Sequence, residues 1–173
     1  MQARAFWKAV TADRSDLLDR FLALLDDQRI RWCVVGGQAV NAYVDPVVSL
    51  DLDLVVAAAD LLALEPVLSS HFRVERFPHS LTITADDSDL RVQFQTDPRY
   101  SSFIDRASLR EVLGLRLPVA AVEDVLLGKV WAVEDVRRRP SKRQKDLADI
   151  ARILEAFPEL RVRIPPAVLQ RLV

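Results

Sequence analysis

Hydrophobic and polar positions repeat with two different periods along the chain, and the switches between them mark its elements. Residues 16–28, DLLDRFLALLDDQ, put Leu17, Phe21, Leu24 and Leu25 at helical spacing behind Ser15, a residue type that caps helix starts. An amphipathic first helix is expected there. RWCVVGG then reads as a short apolar strand closed by Gly36 and Gly37, and QAVNAY as one or two helical turns before the Asp45–Pro46 break. The run 47–56, VVSLDLDLVV, has strand character, and a helix over 60–69 follows with Asp60 as its cap. FRVERF, LTITA and LRVQFQT alternate with period two and predict a hairpin region, with DDSD as the turn between the last two. Beyond Tyr100 the pattern loosens until LRLPV, a short strand ahead of a helix opened by Val122, Glu123 and Asp124. The basic, proline-containing stretch RRRPSKRQK connects it to DLADIARILEAF, whose Leu147, Ile150, Ile153 and Leu154 form one stripe that Pro158 ends.

These elements assemble into an α/β fold, a mixed twisted sheet with helices before, between and after its strands. A single domain over 1–173 is expected, with an N-terminal helical segment at 1–29, a sheet core at 30–120 and C-terminal helices at 121–173. With 173 residues, half of them hydrophobic, the chain is long enough to bury a proper core. Its 24 Lys and Arg nearly balance 25 Asp and Glu, so no global basic field draws nucleic acid, although local clusters still could. Cys33 is the single cysteine and reads as a small buried strand residue, which leaves no internal disulfide. No apolar run reaches the roughly 18 residues of a membrane span, and the N-terminus lacks the apolar region of a signal peptide. A cytoplasmic protein without a membrane partner is the expectation.

One feature of the sheet conflicts with burial. Asp51 and Asp53 stand two apart inside VVSLDLDLVV, so a strand points both to one face while Leu50, Leu52 and Leu54 fill the other. Two anions at that distance repel, and they stay ionised together where a cation lies between them or where the site is wet. A solvated sheet face remains the plain alternative, as a tight turn does for Gly36–Gly37.

The order of motifs adds to this. A strand, Gly36–Gly37, and then a strand carrying Asp51-Leu-Asp53-Leu resembles the signature of the DNA polymerase beta type nucleotidyltransferase superfamily. AVEDVLLGKVWA followed by RQKDLADIARIL looks like its small bacterial branch that includes AbiEii-like toxins and other minimal nucleotidyltransferases. The resemblance spans about residues 30–156. It implies an enzyme that moves an NMP from an NTP to an RNA such as tRNA, a protein or a small molecule, in the setting of a toxin with a cognate antitoxin. Gly36, Gly37 and the helix start at Gln38 would cradle the triphosphate, glycine permitting a close backbone approach. Asp51 and Asp53 would hold Mg²⁺, a hard ion that takes carboxylate and phosphate oxygens. Ser49 would touch phosphate or metal-bound water, or serve as an ordinary strand serine. Lys129, Lys145 and Asp146 occupy the places of an active-site lysine and a KD pair in that branch.

Many members carry a third carboxylate on a neighbouring strand. The matching position is Gln93, which neither supplies a full charge to a metal nor acts as a general base. Asp89 and Asp97 flank that strand and read as turn residues, with misregistered substitutes for the third acid as the alternative. Two consequences follow: Asp146 takes over the acid's role, or the domain is catalytically degenerate and binds a nucleotide or a partner. Lys129, in an otherwise apolar helix, is expected to meet the triphosphate or else to snorkel to solvent, and Asp149 to lie on the helix surface or in a salt bridge. The basic stretch from Arg137 to Lys145 either grips phosphates or is a solvated loop. His71 and His79 lack metal-ligand spacing, and Trp7, Trp32 and Trp131 read as packing residues.

Overall fold

The computed structural model describes residues 2–12 and 16–172. Two helices, α1 (Gln2–Val10) and α2 (Leu17–Asp27), lead into β1 (Trp32–Val35), α3 (Gly36–Asn41), β2 (Asp51–Val56) and α4 (Ala58–His71). The meander β3 (Arg73–Phe77), β4 (Ser80–Ala85) and β5 (Ser88–Gln95) follows, then a 3₁₀ helix at Pro98–Arg106 and the hairpin β6 (Ser108–Val112) and β7 (Leu115–Val119). Two long helices, α5 (Val122–Glu134) and α6 (Pro140–Ala156), a 3₁₀ helix at Pro158–Arg163 and α7 (Pro166–Leu169) complete it. The strands form one seven-stranded mixed sheet in the order β3-β4-β5-β2-β1-β7-β6. β2 pairs parallel with β5 and antiparallel with β1, which pairs parallel with β7.

Alternation decides the two faces. Leu52, Leu54, Leu81, Ile83, Leu90, Val92 and Phe94 are buried on one face. Phe21 of α2 packs there, its ring 5.8 Å from that of Phe94 and 6.5 Å from that of Phe72 at the end of α4. Cys33, Val34 and Val35 of β1 are buried whichever way they point, because α3, α5 and α6 cover the other face at this end of the sheet. The stripe Leu147, Ile150, Ile153 and Leu154 of α6 is buried as its spacing requires. Over β3, β4 and β5 the second face is uncovered, and its residues are polar apart from the exposed Phe77.

Several expected boundaries shift. β2 begins at Asp51, not at residue 47, because Asn41 captures the preceding loop: its side chain donates to the Val47 carbonyl at 2.7 Å and accepts from the Val47 N–H at 2.9 Å. Val47 and Val48 are consequently exposed. β6 escapes the alternation rule because it is an edge strand whose Ser108, Leu109, Arg110 and Glu111 are all exposed. α6 starts at Pro140, a residue preorganised for the first helical position, so half of the basic stretch is helical and Asp146 lies beyond the first turn. Asp60 sits in the first turn of α4 rather than at its cap, which is Ala57. Ser15 lies outside the described residues; Asp16 precedes α2 without a side-chain capping bond.

Candidate active site

Asp51 and Asp53 project from one face of β2 into a cleft of about 750 Å³ between the uncovered sheet face and the α5–α6 pair. Gly36, Gly37, Ser49, Gln93, Lys129, Lys145 and Asp146 border the same cleft, so the sequence motifs converge in space. Gln38 does not. Its side chain is buried and donates to the Ser49 carbonyl at 2.8 Å, which fixes the approach to β2.

The glycine at position 36 has a specific cause. Its φ is +67°, and a Cβ there would stand 2.8 Å from Asp53 Cγ. Gly36 thus makes room for the carboxylate as much as for a phosphate. Gly37 is less constrained: a Cβ would meet Ser49 Oγ at 3.6 Å and Lys145 Nζ at 3.8 Å, ordinary contacts that place these two polar atoms beside the turn.

The two acids differ in their partners. Asp51 is held by Arg91 at 2.8 Å, its register partner on β5, and by Lys142 of α6 at 3.6 Å. Asp53 makes no hydrogen bond or salt bridge among the described residues. Burial first, and the Asp51 charge second, push its carboxyl up to about 6, against the pull of Lys129, Arg138 and Lys145. Two carboxyls side by side, one of them unpartnered, suit a hard divalent cation. Among the described residues no third His, Cys, Asp or Glu joins them. That matches an ion such as Mg²⁺, which commonly takes one or two carboxylates and completes its shell with water and phosphate oxygens.

Lys129 does not snorkel to solvent; it is ion-paired inside the fold. Its Nζ lies 2.9 Å from Asp146 Oδ1 and 2.7 Å from Asp149 Oδ2, and its side chain is only 8% exposed. Burial alone would lower its pKa, but the attraction of Asp149 and Asp146 outweighs that and raises it, so the amine stays charged. The second oxygen of Asp146 accepts from Arg138 Nε at 2.8 Å. Asp149 is buried, not on the helix surface, and pairs through its other oxygen with Arg152 at 2.9 Å. Arg152 continues to Asn41 Oδ1 at 3.2 Å and to the Asp45 carbonyl. Lys129 and Asp146, which border the cleft, thus belong to a buried ion network that ties α5 and α6 to the loop delivering Ser49 and Asp51. Spacing within α6 had no means of revealing it, since both partners of Asp146 come from outside that stretch of sequence.

The basic stretch resolves by position. Arg137, Arg138, Arg139, Lys142 and Lys145 border the cleft, whereas Arg143 turns back to the Asp135 carbonyl at 2.8 Å. Arg139 and Lys145 make no salt bridge among the described residues. Gln93 lies in register with Asp53, the position anticipated for a third acid, and Asp97 caps the following 3₁₀ helix by accepting from Arg99 N–H at 3.0 Å. Tyr100 and Phe103, which no sequence signal marked, form the inner wall together with Gly128. A Cβ on Gly128 would come within 3.1 Å of the Tyr100 ring, which explains that helix glycine. Cys33 is fully buried, its thiol pushed up to about 12 by burial and then by Asp124.

No family model and no curated protein matches the sequence. Solved structures do match its fold. ANT(2'')-Ia in complex with adenylyl-2''-tobramycin aligns with TM-score 0.58 and 17% identity over 91% of this chain and 98% of that one. The solution structure of the antibiotic-resistance factor ANT(2'')-Ia gives 0.55 and 15%, over 90% and 94%. The lincosamide antibiotic adenylyltransferase LnuA, lincomycin-bound, gives 0.54 and 13%, over 80% and 97%. The chain has the nucleotidyltransferase fold. At these identities the likeness is one of architecture, and it does not single out the AbiEii-like branch of nucleotidyltransferases. No helix among the described residues is long and apolar enough to cross a membrane.

Proposed function

We propose that this chain is a nucleotidyltransferase that moves an NMP from a Mg²⁺-bound NTP to an acceptor hydroxyl. One observation carries the reading: Asp51 and the unpartnered Asp53 face a cleft whose opposite wall presents Arg138, Arg139, Lys142 and Lys145. Carboxylates on one side and cations on the other are the arrangement a metal–triphosphate requires. Asp51 and Asp53 would hold Mg²⁺, which when bound neutralises charge on the triphosphate as pyrophosphate leaves. Arg139 and Lys145, free of salt bridges, bind phosphate oxygens. Lys145, beside Gly37 and Ser49, orients the triphosphate along the β1–α3 turn. Arg91 aims Asp51, and Lys129 holds α6 in place through Asp146 and Asp149. Acceptors among RNA, protein and small molecules, and a toxin role with a cognate antitoxin, belong to the same proposal in its finer form.

A second reading, a degenerate domain that binds nucleotide without transferring it, is favoured by Gln93 in register with Asp53 and by the full engagement of Asp146 in ion pairs. Calorimetry with each NTP and Mg²⁺, followed by incubation with labelled NTP and a mixture of acceptors, separates the two. The transferase reading expects Mg²⁺-dependent binding weakened at least tenfold by Asp51→Asn, and label incorporation lost in Asp53→Ala. Binding without incorporation supports the degenerate domain, and no binding of any NTP overturns both.

A further inference from the structure

The uncovered part of the sheet continues the cleft away from the aspartates. Register places Asp53 opposite Gln93, Gln93 opposite Thr82 and Thr82 opposite Glu75, one row across β2, β5, β4 and β3. Three interstrand steps put Glu75 roughly 14 Å from Asp53, too far for proton transfer at the metal pair. The next row on the same face is Gln95, Ser80 and Phe77. All six residues beyond β2 border the cleft.

Their chemistry is unlike that of the α5–α6 wall. Gln93, Thr82 and Ser80 are half-buried and have no side-chain hydrogen-bond partner among the described residues, so a ligand meets donors and acceptors ready to bind. Phe77 is 49% exposed and lies two residues from Glu75 on the same face of β3. Of the cations on this face among the described residues, Arg91 is committed to Asp51 and Arg73, two residues before Glu75 on β3, to Asp86. Glu75 has no salt-bridge partner among the described residues and gives the far end of the floor a negative charge.

We propose that this floor is the acceptor subsite, and that it takes an amine-bearing polyol of two or three sugar rings rather than a nucleic acid. The proposal rests on the nucleotidyltransferase reading of the adjacent pair. Hydroxyls suit the neutral row Gln93, Thr82, Ser80 and Gln95; an aromatic side chain receives the apolar face of a sugar ring; Glu75 pairs with an ammonium group. A phosphodiester backbone would be repelled by Glu75 and would find no free cation among the residues of β3, β4 and β5 that border the cleft.

The test is calorimetry of the full chain, with a non-hydrolysable NTP and Mg²⁺ present, against three probes: the glucosamine trisaccharide, its fully N-acetylated counterpart, and a short single-stranded RNA. The amino sugar is expected to bind, and N-acetylation to weaken binding about fivefold, the scale of one half-exposed ion pair. Glu75→Gln is expected to remove that difference, and Glu75→Lys to weaken the amino sugar further, with Mg²⁺–NTP affinity unchanged in both. Glu75 is exposed, so neither change endangers folding. Preference for RNA, absence of amino-sugar binding, or indifference to N-acetylation or to Glu75 overturns the proposal. A wild-type chain that binds the amino sugar but no NTP counts against the transferase reading alone.

Discussion

Two pairs of aspartates, on β2 and on α6, show opposite ways of placing like charges near each other. Asp146 and Asp149 stand three apart on α6 and are almost completely buried, yet Lys129 bridges them while Arg138 and Arg152 occupy their remaining oxygens. Asp51 and Asp53 stand two apart on β2 and are half-buried, yet the Asp53 carboxylate has neither salt bridge nor hydrogen bond among the described residues. Burial of charge without compensation costs several kcal/mol, so the α6 pair is built to be satisfied in the folded chain as it stands. The β2 pair is left in deficit. On the proposed reading, a fold that neutralises one buried pair with three cations and leaves an unpaired charge in its cleft holds that charge for a ligand.

The sharpest way to break this comparison is Lys129→Met. If Lys129 is internal, the substitution leaves two buried carboxylates short of their shared cation and destabilises the fold by about 3 kcal/mol, the lower end for breaking a buried ion pair because Arg138 and Arg152 remain. Urea unfolding measures it. Adding Asp146→Asn and Asp149→Asn should recover much of the loss. Unchanged stability together with weakened NTP binding would return Lys129 to the phosphates. Next in size is Gly36→Ala. A left-handed φ costs a β-carbon about 1–2 kcal/mol, and the new methyl also displaces the Asp53 carboxylate. Mg²⁺-dependent NTP binding is therefore expected to fall by more than the stability loss explains, whereas Gly37→Ala, with only ordinary contacts, should fold normally.

Much of this contrast was legible in the sequence, but unequally. The β2 pair was readable because strand geometry is local: alternation assigns Asp51 and Asp53 to one face and Leu52 and Leu54 to the other with no knowledge of the rest. The glycine pair, the strand with Gln93 and the helix stripe of α6 followed from the same short-range periodicities. The α6 network was not readable, since Lys129 meets its partners across a helix–helix contact and Arg152 reaches back to Asn41 and Asp45. Sequence reasoning consequently did not foresee the partners that Lys129 and Asp146 have within the fold. The polar floor was half visible: its strands were recognised, but that their outward face lies open beside the aspartates depends on which helices cover which end of the sheet. β6 stayed hidden for a related reason, because an exposed edge strand buries too little to alternate.

A further effect separates the two pairs most directly, because it reverses sign between them. In the fold the Asp53 carboxyl is raised to about 6 from the usual 3.8, so the folded state prefers it protonated and its ionised form destabilises the fold. That cost is absent below the unfolded value, grows as pH rises from about 4 to 6, and is complete above it. Asp53→Asn removes the charge while keeping the shape, and should stabilise the ligand-free protein at pH 8 by something on the order of 1–3 kcal/mol. The gain should shrink through pH 6 and vanish near pH 4. Asp146→Asn at pH 8 should do the reverse, because Lys129 and Arg138 lose the charge they neutralise. Thermal melts of the two variants and the wild type at pH 4, 6 and 8 give the comparison. Mg²⁺ adds to it, since an ion held by Asp53 should raise the melting temperature of the wild type at pH 8 and leave Asp53→Asn unmoved. If Asp53→Asn instead destabilises the ligand-free chain at pH 8, its carboxylate is satisfied within the fold, and the case for a charge held in reserve for a metal and a triphosphate falls with it.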